Sequence, residues 1–551
     1  MNKFKNQVST KTELAFIYAA YSLSAAILVI LFIENFVLSS GFDIIQFREI
    51  DDLAFQTTLR QIHLVIESGH LHKLAVLNGY AYGWIFWFPL AFVTYPLYWI
   101  STHFAIDWPL IVAPRQISLA FGIMTLLLMR KIFKKYDMPE WITAAGFLVL
   151  LLFPSFGYFS LRFGTVNEVM FFSVLSLYLA ISDNPSTTRG RLFVAAALAL
   201  AGGTKLSGLL ISPLIFALVV FRYEFKSFAI LARDLLLPAA LFVVLLIAFS
   251  NPSLFAYLRH PIYGQQYLKT LSSFIGTTKI ENTPLTPSER FYYIFFGSGI
   301  ANATYVLILF FGLIMQAIRS KVFRRDALAS IGTLLFIGSY LSFSVKNGSA
   351  VLYFTAISFL FLFGLFFFSN LRGGKVVVII IIFLQLFDLT HKSWFQYKYA
   401  TGNWNHLTYY IISLQSVRGI NESRQIANCI GIKNKNWDGH IFVDYTIPTG
   451  FNSLTYPKAC ISMAWNNLSP KGKYCPRPID YIVMDKLAPG ALPEDQFDSI
   501  VKTTDPKITP DLLVDRQSRE TIANGGYFDD RRFVKICDLD RVQVYTAEKM
   551  K

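Results

Sequence analysis

Two adjacent aspartates, Asp51 and Asp52, begin an amphipathic stretch and are well suited to acid–base chemistry. An ionised carboxylate can accept the proton of a hydroxyl group and so act as a general base. Four apolar residues downstream recur at the spacing of one helix face: Phe55, Leu59, Ile62 and Ile66. The alternative is helix capping, since negative charge is favoured at a helix N-terminus. A cap needs only one acid, so the pair favours a functional role.

Further polar residues lie beside apolar segments and are candidates for binding a substrate: Arg115, Arg162, Glu168, Lys205, Arg259 and His260. Lys205 stands at a break between two apolar segments, where a buried ammonium group needs an anionic partner. Its alternative role is to extend its charged end to the membrane surface. For Arg115 and Arg162 the alternative is anchoring at the membrane interface, and for His260 it is exposure in a loop.

The composition is that of a protein which crosses a membrane several times. Of the 551 residues 54% are hydrophobic, 52 are phenylalanine, and the mean hydropathy is +0.45. The net charge of +15 does not indicate nucleic-acid binding, because the basic residues form short clusters between apolar segments. Such clusters are typical of the cytoplasmic loops of membrane proteins.

Eleven apolar segments are predicted to cross the membrane as helices: residues 14–38, 116–129, 144–159, 169–181, 193–201, 206–221, 235–249, 301–318, 327–343, 351–368 and 376–389. The first follows three lysines and has no A-x-A cleavage site, so we expect an uncleaved signal anchor with a cytoplasmic N-terminus. An odd number of crossings then places the C-terminus outside. Residues 1–390 are therefore predicted to be an α-helical polytopic membrane domain.

A further apolar stretch, residues 84–100, is predicted to insert only partly into the membrane. If it crossed, the basic cluster after residue 129 and every later basic loop would lie outside, against the positive-inside rule. Pro89, Pro96 and five Trp or Tyr residues between positions 84 and 99 are typical of a segment at the membrane interface. Residues 39–115 are therefore interpreted as the first external loop, with its amphipathic helix on the outer membrane surface.

Residues 391–551 have the composition of a small soluble α/β domain. Strands are predicted at residues 440–445 and 480–485, and a terminal hairpin at 533–537 and 541–545. Helical stretches are short, and residues 494–502 are the best of them. All the cysteines lie in this domain: Cys429, Cys460, Cys475 and Cys537. Their even number suggests disulfides in an oxidising compartment, with the pairing open, whereas the alternative is free thiols in the cytosol.

The first half of the chain resembles the GT-C glycosyltransferases, which include protein O-mannosyltransferases, lipid A aminoarabinose transferases and galacturonic acid transferases of the lipopolysaccharide core. The segment from Glu49 to Phe55, with its aspartate pair, matches the acidic motif of their first external loop. Residues 115–122 match the arginine and small residues that begin the next span. Residues 162–168 supply the acid of the second external loop, and Thr204-Lys205 matches a dipeptide after the fifth span. The resemblance covers about residues 10–260.

The resemblance implies a polyprenyl-phosphate sugar as donor and an inverting displacement, with Asp51 as the catalytic base. Asp52 and Glu168 would orient the acceptor or the sugar, and Lys205 would bind the donor phosphate. The other candidates are expected to hold phosphate or carboxylate groups or to face the donor: Arg115, Arg162, Arg259 and His260. The acceptor would be a periplasmic glycolipid, polysaccharide or protein, and the protein would lie in the bacterial inner membrane.

Nucleotide sugars are absent outside the inner membrane, and the sequence has no Gly-rich phosphate loop that opens a helix. No cofactor is expected: His63, His70 and His72 lack further ligands at a regular spacing, so a divalent metal is not indicated. The competing class of function is a transporter or flippase of a lipid-linked or polar solute without covalent chemistry. A polymerase or ligase of lipid-linked polysaccharide is the third interpretation.

Overall fold

The computed structural model describes most of the helical part of the chain and most of the C-terminal domain. The described residues are 11–37, 50–70, 74, 83–104, 106, 108–161, 163–182, 186–222, 228–250, 288, 300–320, 323–344, 357–390, 413–433, 436–444, 456, 458–464, 477–486, 488–503 and 509–548.

The first 390 residues form helices throughout this described part. They are α1 (Lys11–Val37), α2 (Ile50–Glu67), α3 (Trp84–Phe104), α4 (Trp108–Lys135), α5 (Glu140–Leu152), α6 (Pro154–Ser160), α7 (Val166–Ile181), α8 (Thr188–Thr204), α9 (Ser212–Arg222), α10 (Phe228–Ser250), α11 (Ile300–Arg319), α12 (Arg324–Ser344), α13 (Ile357–Ser369) and α14 (Gly374–Thr390). A 3₁₀ helix, Leu206–Ile211, joins α8 to α9. Where they are described, the predicted apolar segments are helical, and the α-helical membrane fold class is confirmed.

Within the described residues, four helices are long and apolar enough to cross a membrane by length and composition: Lys11–Phe36, Trp108–Lys135, Ala232–Phe249 and Ala301–Arg319. Four more are apolar but shorter: Glu140–Leu152, Val166–Ile181, Leu206–Phe221 and Ile357–Ser369. The third helix of the chain, α3, is outside both sets. It turns a row of large apolar side chains outward, with Phe88 49% and Phe92 78% exposed.

Most of the helices pack around one large apolar cluster, in which α4 contacts α7 and α7 contacts α8. The helices α2 and α3 share a second, smaller cluster. The predicted segment 144–159 is divided into α5 and α6, because Pro154 has no N–H to continue α5. Phe153, which precedes that proline, has φ −60° and ψ 124°. This extended conformation is the one that a following proline favours.

Polar contacts join helix ends at the end of the bundle that carries the predicted cytoplasmic loops. Lys375 at the start of α14 pairs with Glu13 of α1 at 2.7 Å. Tyr136, after α4, donates a hydrogen bond to Asp326 of α12 at 2.7 Å. The sequence assigns these helix ends to one side of the membrane, and the structure brings them together.

In its described residues, the C-terminal domain has a six-stranded mixed sheet between helices. Its strands are β1 (His440–Asp444), β2 (Cys460–Ala464), β3 (Tyr481–Asp485), β4 (Tyr527–Phe528), β5 (Arg531–Asp538) and β6 (Val542–Ala547), in the order β2-β1-β3-β6-β5-β4. β1 is parallel to β2 and β3, whereas β6 is antiparallel to β3 and β5. The helices are α15 (Ser413–Ile430), α16 (Glu494–Thr503) and α17 (Thr509–Ala523).

The two faces of the sheet carry separate apolar cores. On one face Ile426 of α15 packs against Val443 and Val483. On the other, Ile522 of α17 packs against Phe442 and Ile482. Neighbouring residues of one strand thus enter opposite cores, which is the period of two that a strand imposes.

The strands predicted at residues 440–445 and 480–485 and the terminal hairpin are confirmed. The prediction that helices here are short was wrong, because α15 has 18 residues and α17 has 15. Both helices are polar apart from a narrow apolar stripe, so a run of apolar residues does not mark them. β2 was also missed in the sequence.

Disulfides are present in this domain, as the cysteine count predicted. Cys429 at the end of α15 is bonded to Cys537 of β5, across 108 residues of sequence. Cys460 is also disulfide-bonded, and Cys475 lies outside the described residues. The first bond fixes α15 to the antiparallel part of the sheet.

A buried ion-pair network lies where the parallel strands end. Arg519 of α17 contacts Asp444 at 2.7 Å and Asp515 at 2.8 Å, and each of the three side chains is at most 7% exposed. The Asp444 carboxylate also accepts a hydrogen bond from the backbone N–H of Asp485 at 2.8 Å. Burial raises the pKa of Asp444 to about 6, against the opposing effect of Arg519. The two buried carboxylates therefore depend on the Arg519 guanidinium to balance their negative charge.

Candidate active site

The aspartate pair lies in the first turn of α2, which begins at Ile50. The side chains of Asp51 and Asp52 are outside the described part of the structure. The helix itself is placed by its apolar face, because Phe55, Leu59 and Ile62 are all at most 7% exposed. The contacts of these three apolar residues therefore fix the backbone position of Asp51 and Asp52.

Phe55, one helical turn after Asp51, is the centre of an aromatic cluster. Its ring centroid lies 5.6 Å from that of Phe86 and 5.4 Å from that of Trp87, both in α3. It also lies 5.3 Å from the ring of Phe163, in the connection between α6 and α7. The cluster thus holds the start of α2 against the start of α3 and against the predicted second external loop.

Arg115 lies on α4 close to the same end of α2. Gln56 of α2 donates a hydrogen bond to the backbone oxygen of Ile111 at 3.5 Å, and Arg115 follows Ile111 by one helical turn. The Arg115 side chain is completely buried. A buried guanidinium requires acceptors around it, so Arg115 brings fixed positive charge to the interior beneath α2.

Glu168 lies in the first turn of α7 and is 6% exposed. The residue before it, Asn167, donates hydrogen bonds to the backbone oxygen of Ser118 and to the hydroxyl of Ser160, each at 3.1 Å. Ser118 is one turn along α4 from Arg115. These bonds fix the start of α7 to the part of α4 that carries Arg115.

The same polar network reaches α1. Asn35 donates hydrogen bonds to the side-chain oxygen of Gln116 at 3.3 Å and to the backbone oxygen of Ser160 at 3.2 Å. Gln116 in turn donates to the backbone oxygen of Phe32 at 2.9 Å. The helix turns that carry Arg115 and Glu168 are therefore held by side-chain hydrogen bonds in addition to apolar packing.

Lys205 occupies the break at the end of α8, with extended backbone angles of φ −157° and ψ 135°. The backbone N–H of Gly83, just before α3, donates a hydrogen bond to the oxygen of Thr204 at 3.0 Å. A side chain at Gly83 would overlap the backbone of Gly203. The start of α3 is therefore in direct backbone contact with the residues that precede Lys205.

The structure brings five of the predicted site residues around the first turns of α3. Asp51 and Asp52 are placed by backbone, Arg115 and Glu168 lie on the adjoining turns of α4 and α7, and Lys205 follows the backbone contact with Gly83. Three other candidates fall outside the described residues: Arg162, Arg259 and His260. Phe163, the residue after Arg162, is described and belongs to the aromatic cluster.

A second packed face of α2 was not expected from the sequence. His63 is fully buried, and its Nε2 atom lies 3.1 Å from both the Ala91 oxygen and the Thr94 hydroxyl of α3. Arg60 donates to the Ser101 hydroxyl at 3.2 Å, and Glu67 accepts from Tyr98 at 2.9 Å. The signal for it is the helical spacing of the polar residues themselves: Gln56, Arg60, His63 and Glu67.

Acidification is expected to loosen this α2–α3 contact. Burial lowers the pKa of His63 to about 4, below its usual value, so the unfolded chain takes up the proton first as the pH falls. The stability contributed by neutral His63 is present above about pH 6.5 and falls by about 2 kcal/mol at pH 5.

His63→Gln should remove that part of the pH dependence, because glutamine donates a hydrogen bond but does not titrate in this range. The measurement is the thermal unfolding temperature of the detergent-solubilised protein at pH 7 and pH 5. The exposed His70, changed to Gln, is the matched control. Equal pH dependence in wild type and His63→Gln would contradict the assignment.

Among the residues that the structure describes, no group of three His, Cys, Asp or Glu side chains could hold a metal ion. His63 contacts α3, and His72 lies outside the described residues. The first turns of α3 are surrounded instead by carboxylate positions and by the cations Arg115 and Lys205. Such an arrangement suits a substrate that carries hydroxyl groups at one end and a phosphate at the other.

No protein-family model matches the sequence, and no curated protein matches it. Among the solved structures that share the fold are ArnT from Cupriavidus metallidurans bound to undecaprenyl phosphate and ArnT from the same organism in the apo state. Each has a TM-score of 0.52 and covers 96% of this chain and 98% of that chain, with 14% and 13% sequence identity respectively. At this identity the likeness shows the GT-C fold of the chain.

Proposed function

We propose that this protein is a membrane glycosyltransferase that moves a sugar from a polyprenyl-phosphate donor to an acceptor hydroxyl group. The fold that it shares with ArnT, one of whose structures contains undecaprenyl phosphate, supports this class of donor. The fold extends over nearly the whole of both chains, so the proposal includes the membrane helices and the C-terminal domain together.

The observation that carries the proposal is the convergence around the first turns of α3. The start of α2 with its aspartate pair, the buried Arg115, the buried Glu168 and the break at Lys205 come from four separate parts of the sequence. A carboxylate can accept a proton near the sugar end of a glycosyl phosphate, while fixed cations stabilise the charge of its phosphate end. In a transporter such carboxylates would serve as proton relays, so the pair supports the transferase only together with the shared fold.

In the proposed reaction, Asp51 accepts the proton of the acceptor hydroxyl as that oxygen attacks the anomeric carbon of the sugar. The new bond joins the acceptor oxygen to the anomeric carbon, and the bond from that carbon to the phosphate oxygen breaks. The electron pair leaves with the polyprenyl phosphate, whose negative charge Lys205 and the arginines stabilise. Attack from the face opposite the phosphate inverts the anomeric configuration, and Asp52 and Glu168 orient the sugar or the acceptor.

We propose that the reaction takes place outside the bacterial inner membrane, with the N-terminus in the cytoplasm. The disulfide-bonded domain, residues 391–551, would then lie in the oxidising periplasm. The contacts of Lys375 with Glu13 and of Tyr136 with Asp326 lie at the predicted cytoplasmic helix ends and support this orientation. The acceptor is a periplasmic glycolipid, polysaccharide or protein.

The test is transfer by the purified full-length protein from a panel of polyprenyl-phosphate sugars, with release of polyprenyl phosphate as the readout. Because membrane extracts supply the acceptor, this readout can be used before the acceptor is identified. The proposal expects acceptor-dependent release from at least one donor. If every donor and extract gives none, while a lipid-linked sugar is translocated in proteoliposomes, the flippase function is correct instead.

Lys205→Gln is expected to lower the transfer rate by about 10–100-fold, the loss that follows removal of one charged hydrogen bond to a phosphate. Lys205→Arg should keep part of the activity, because the positive charge remains. The initial rate is measured over a range of donor concentrations. Lys131→Gln, in the basic cluster at the other end of α4, is the control, and an unchanged rate in Lys205→Gln would exclude a phosphate role.

A further inference from the structure

Glu168 carries a buried carboxylate that no polar neighbour holds in place. It is 6% exposed, and within the part of the chain that the structure describes it forms no hydrogen bond and no ion pair. The location of the carboxylate therefore depends on the backbone of the first turn of α7. That turn has no side-chain cap, because the side chain of Thr165, which precedes the helix, makes no capping hydrogen bond.

Asn167 fastens this turn of α7 to two other helices. Its Nδ2 atom donates hydrogen bonds to the backbone oxygen of Ser118 in α4 and to the hydroxyl of Ser160 at the end of α6, each at 3.1 Å. Because the Ser118 acceptor is a backbone oxygen, only the NH₂ group of the amide can face it. One completely buried side chain thus sets the turn against α4 and α6, one residue before Glu168.

The oxygen of the Asn167 amide is left unsatisfied by this arrangement. Oδ1 is buried and has no hydrogen-bond partner among the described residues. A buried acceptor without a partner costs free energy, and an apolar side chain of similar size would avoid that cost. Stability alone therefore does not account for an asparagine here, whereas the two directed hydrogen bonds of Nδ2 define where the turn lies.

The packing of α4 leaves the Asn167 amide little room to move. A Cβ atom at Gly122 of α4 would lie 3.3 Å from Nδ2 of Asn167 and 3.0 Å from the ring of Phe156. Both distances are tighter than an ordinary van der Waals contact, so a larger residue at position 122 would displace the amide. The position of Asn167 is thus set by packing as well as by hydrogen bonds.

We propose that Asn167 is a positioning residue of the transfer reaction, which holds the first turn of α7 so that Glu168 can orient the sugar or the acceptor. This role rests on the proposed function, because the buried Asn167 acts only through Glu168. Misplacement of a site group by about 1 Å can cost on the order of 10²-fold in rate. The transfer rate therefore depends on Asn167 more strongly than the stability of the fold does.

The test is a double-mutant cycle on kcat of the full-length protein in detergent, measured as acceptor-dependent release of polyprenyl phosphate. Asn167→Ala and Glu168→Gln should each lower kcat by about 10–100-fold. The double variant should be no slower than Glu168→Gln alone, because Asn167 has nothing left to position once the carboxylate is gone. A merely structural role would instead make the two losses multiply.

Gln385→Ala is the matched control, because this buried amide also donates to a backbone oxygen of another helix, Val149 of α5, at 3.0 Å. It should lower the unfolding temperature as Asn167→Ala does, but leave kcat unchanged. Gly122→Ala is a second variant that keeps every hydrogen-bonding group, and alanine favours the helix more than glycine does. It should therefore fold, and it should lower kcat by about threefold or more.

Three results would overturn the positioning role. They are losses that multiply in the double variant, wild-type kcat in both Asn167→Ala and Gly122→Ala, and wild-type kcat in Glu168→Gln, which would leave Asn167 no group to act through. Absence of release by the wild-type protein with every donor is a separate result. It would contradict the proposed function, and the positioning role with it.

Discussion

Asp51→Asn is expected to lower the rate of sugar transfer by about 10²–10⁴-fold, the range that a general base contributes. Asparagine has the size of aspartate and is equally good at a helix N-terminus, but its amide cannot accept the acceptor proton. Helix capping and catalysis therefore give opposite results for this one substitution. Capping predicts normal transfer, and catalysis predicts a folded protein that is almost inactive.

The measurement is release of polyprenyl phosphate at saturating donor, together with the thermal unfolding temperature. Asp52→Asn should cause a smaller loss, because orienting a substrate contributes less than taking its proton. Asp137→Asn is the matched control: it lies in the turn after α4 with a φ of 51°, which asparagine tolerates well. Wild-type transfer by Asp51→Asn would remove Asp51 as the base and leave Asp52 and Glu168 to be tested.

Arg519→Met is expected to destabilise the C-terminal domain by about 3–5 kcal/mol at neutral pH, the cost of breaking a buried ion pair from one side. Methionine fills a similar volume but leaves Asp444 and Asp515 buried without their cation. Hydrogen–deuterium exchange of β1 and β3 in the full-length protein measures the loss. Arg532→Met, the same change at a side chain that is 54% exposed, should cost little.

The loss in Arg519→Met should shrink as the pH falls. The pKa of Asp444 is already raised by burial, and without the guanidinium it should rise further above the unfolded value of about 3.9. The folded variant then holds a proton that the unfolded chain has released, so its stability falls as the pH rises through that interval. A loss that is constant from pH 4.5 to 7.5 would contradict this role for Asp444.

Much of the fold could be predicted because apolar length and strand periodicity are local properties. The apolar segments, β1, β3 and the hairpin of β5 and β6 each carry their signal within one short stretch. The division of α5 from α6 has a local cause as well, since Pro154 is visible in the sequence. By contrast, α15 and α17 bury only a narrow stripe, and their helical character depends on the sheet that they cover.

The arrangement of the candidate site could not be predicted from such local patterns in the sequence. Asp51 and Lys205 were singled out by their type and by a resemblance, and neither criterion says which helix turns meet. The contact of Phe55 with Phe163 joins residues more than 100 positions apart and depends on how α6 ends. The packing of the polar face of α2 against α3 was missed for a related reason. Polar residues that suit an exposed helix face can equally form hydrogen bonds with a neighbouring helix.

The hydrogen bond from Gly83 to Thr204 joins the start of α3 to the residue before Lys205. α3 turns Phe88, Phe92 and Trp99 outward, and in the proposed orientation that face rests among the acyl chains of the outer leaflet. A change in bilayer thickness alters the depth or tilt of such a helix at a cost of only fractions of a kcal/mol per Å. Acyl-chain length would therefore act on the position of Lys205 through this backbone contact, and, if the proposed function holds, on the binding of the donor phosphate.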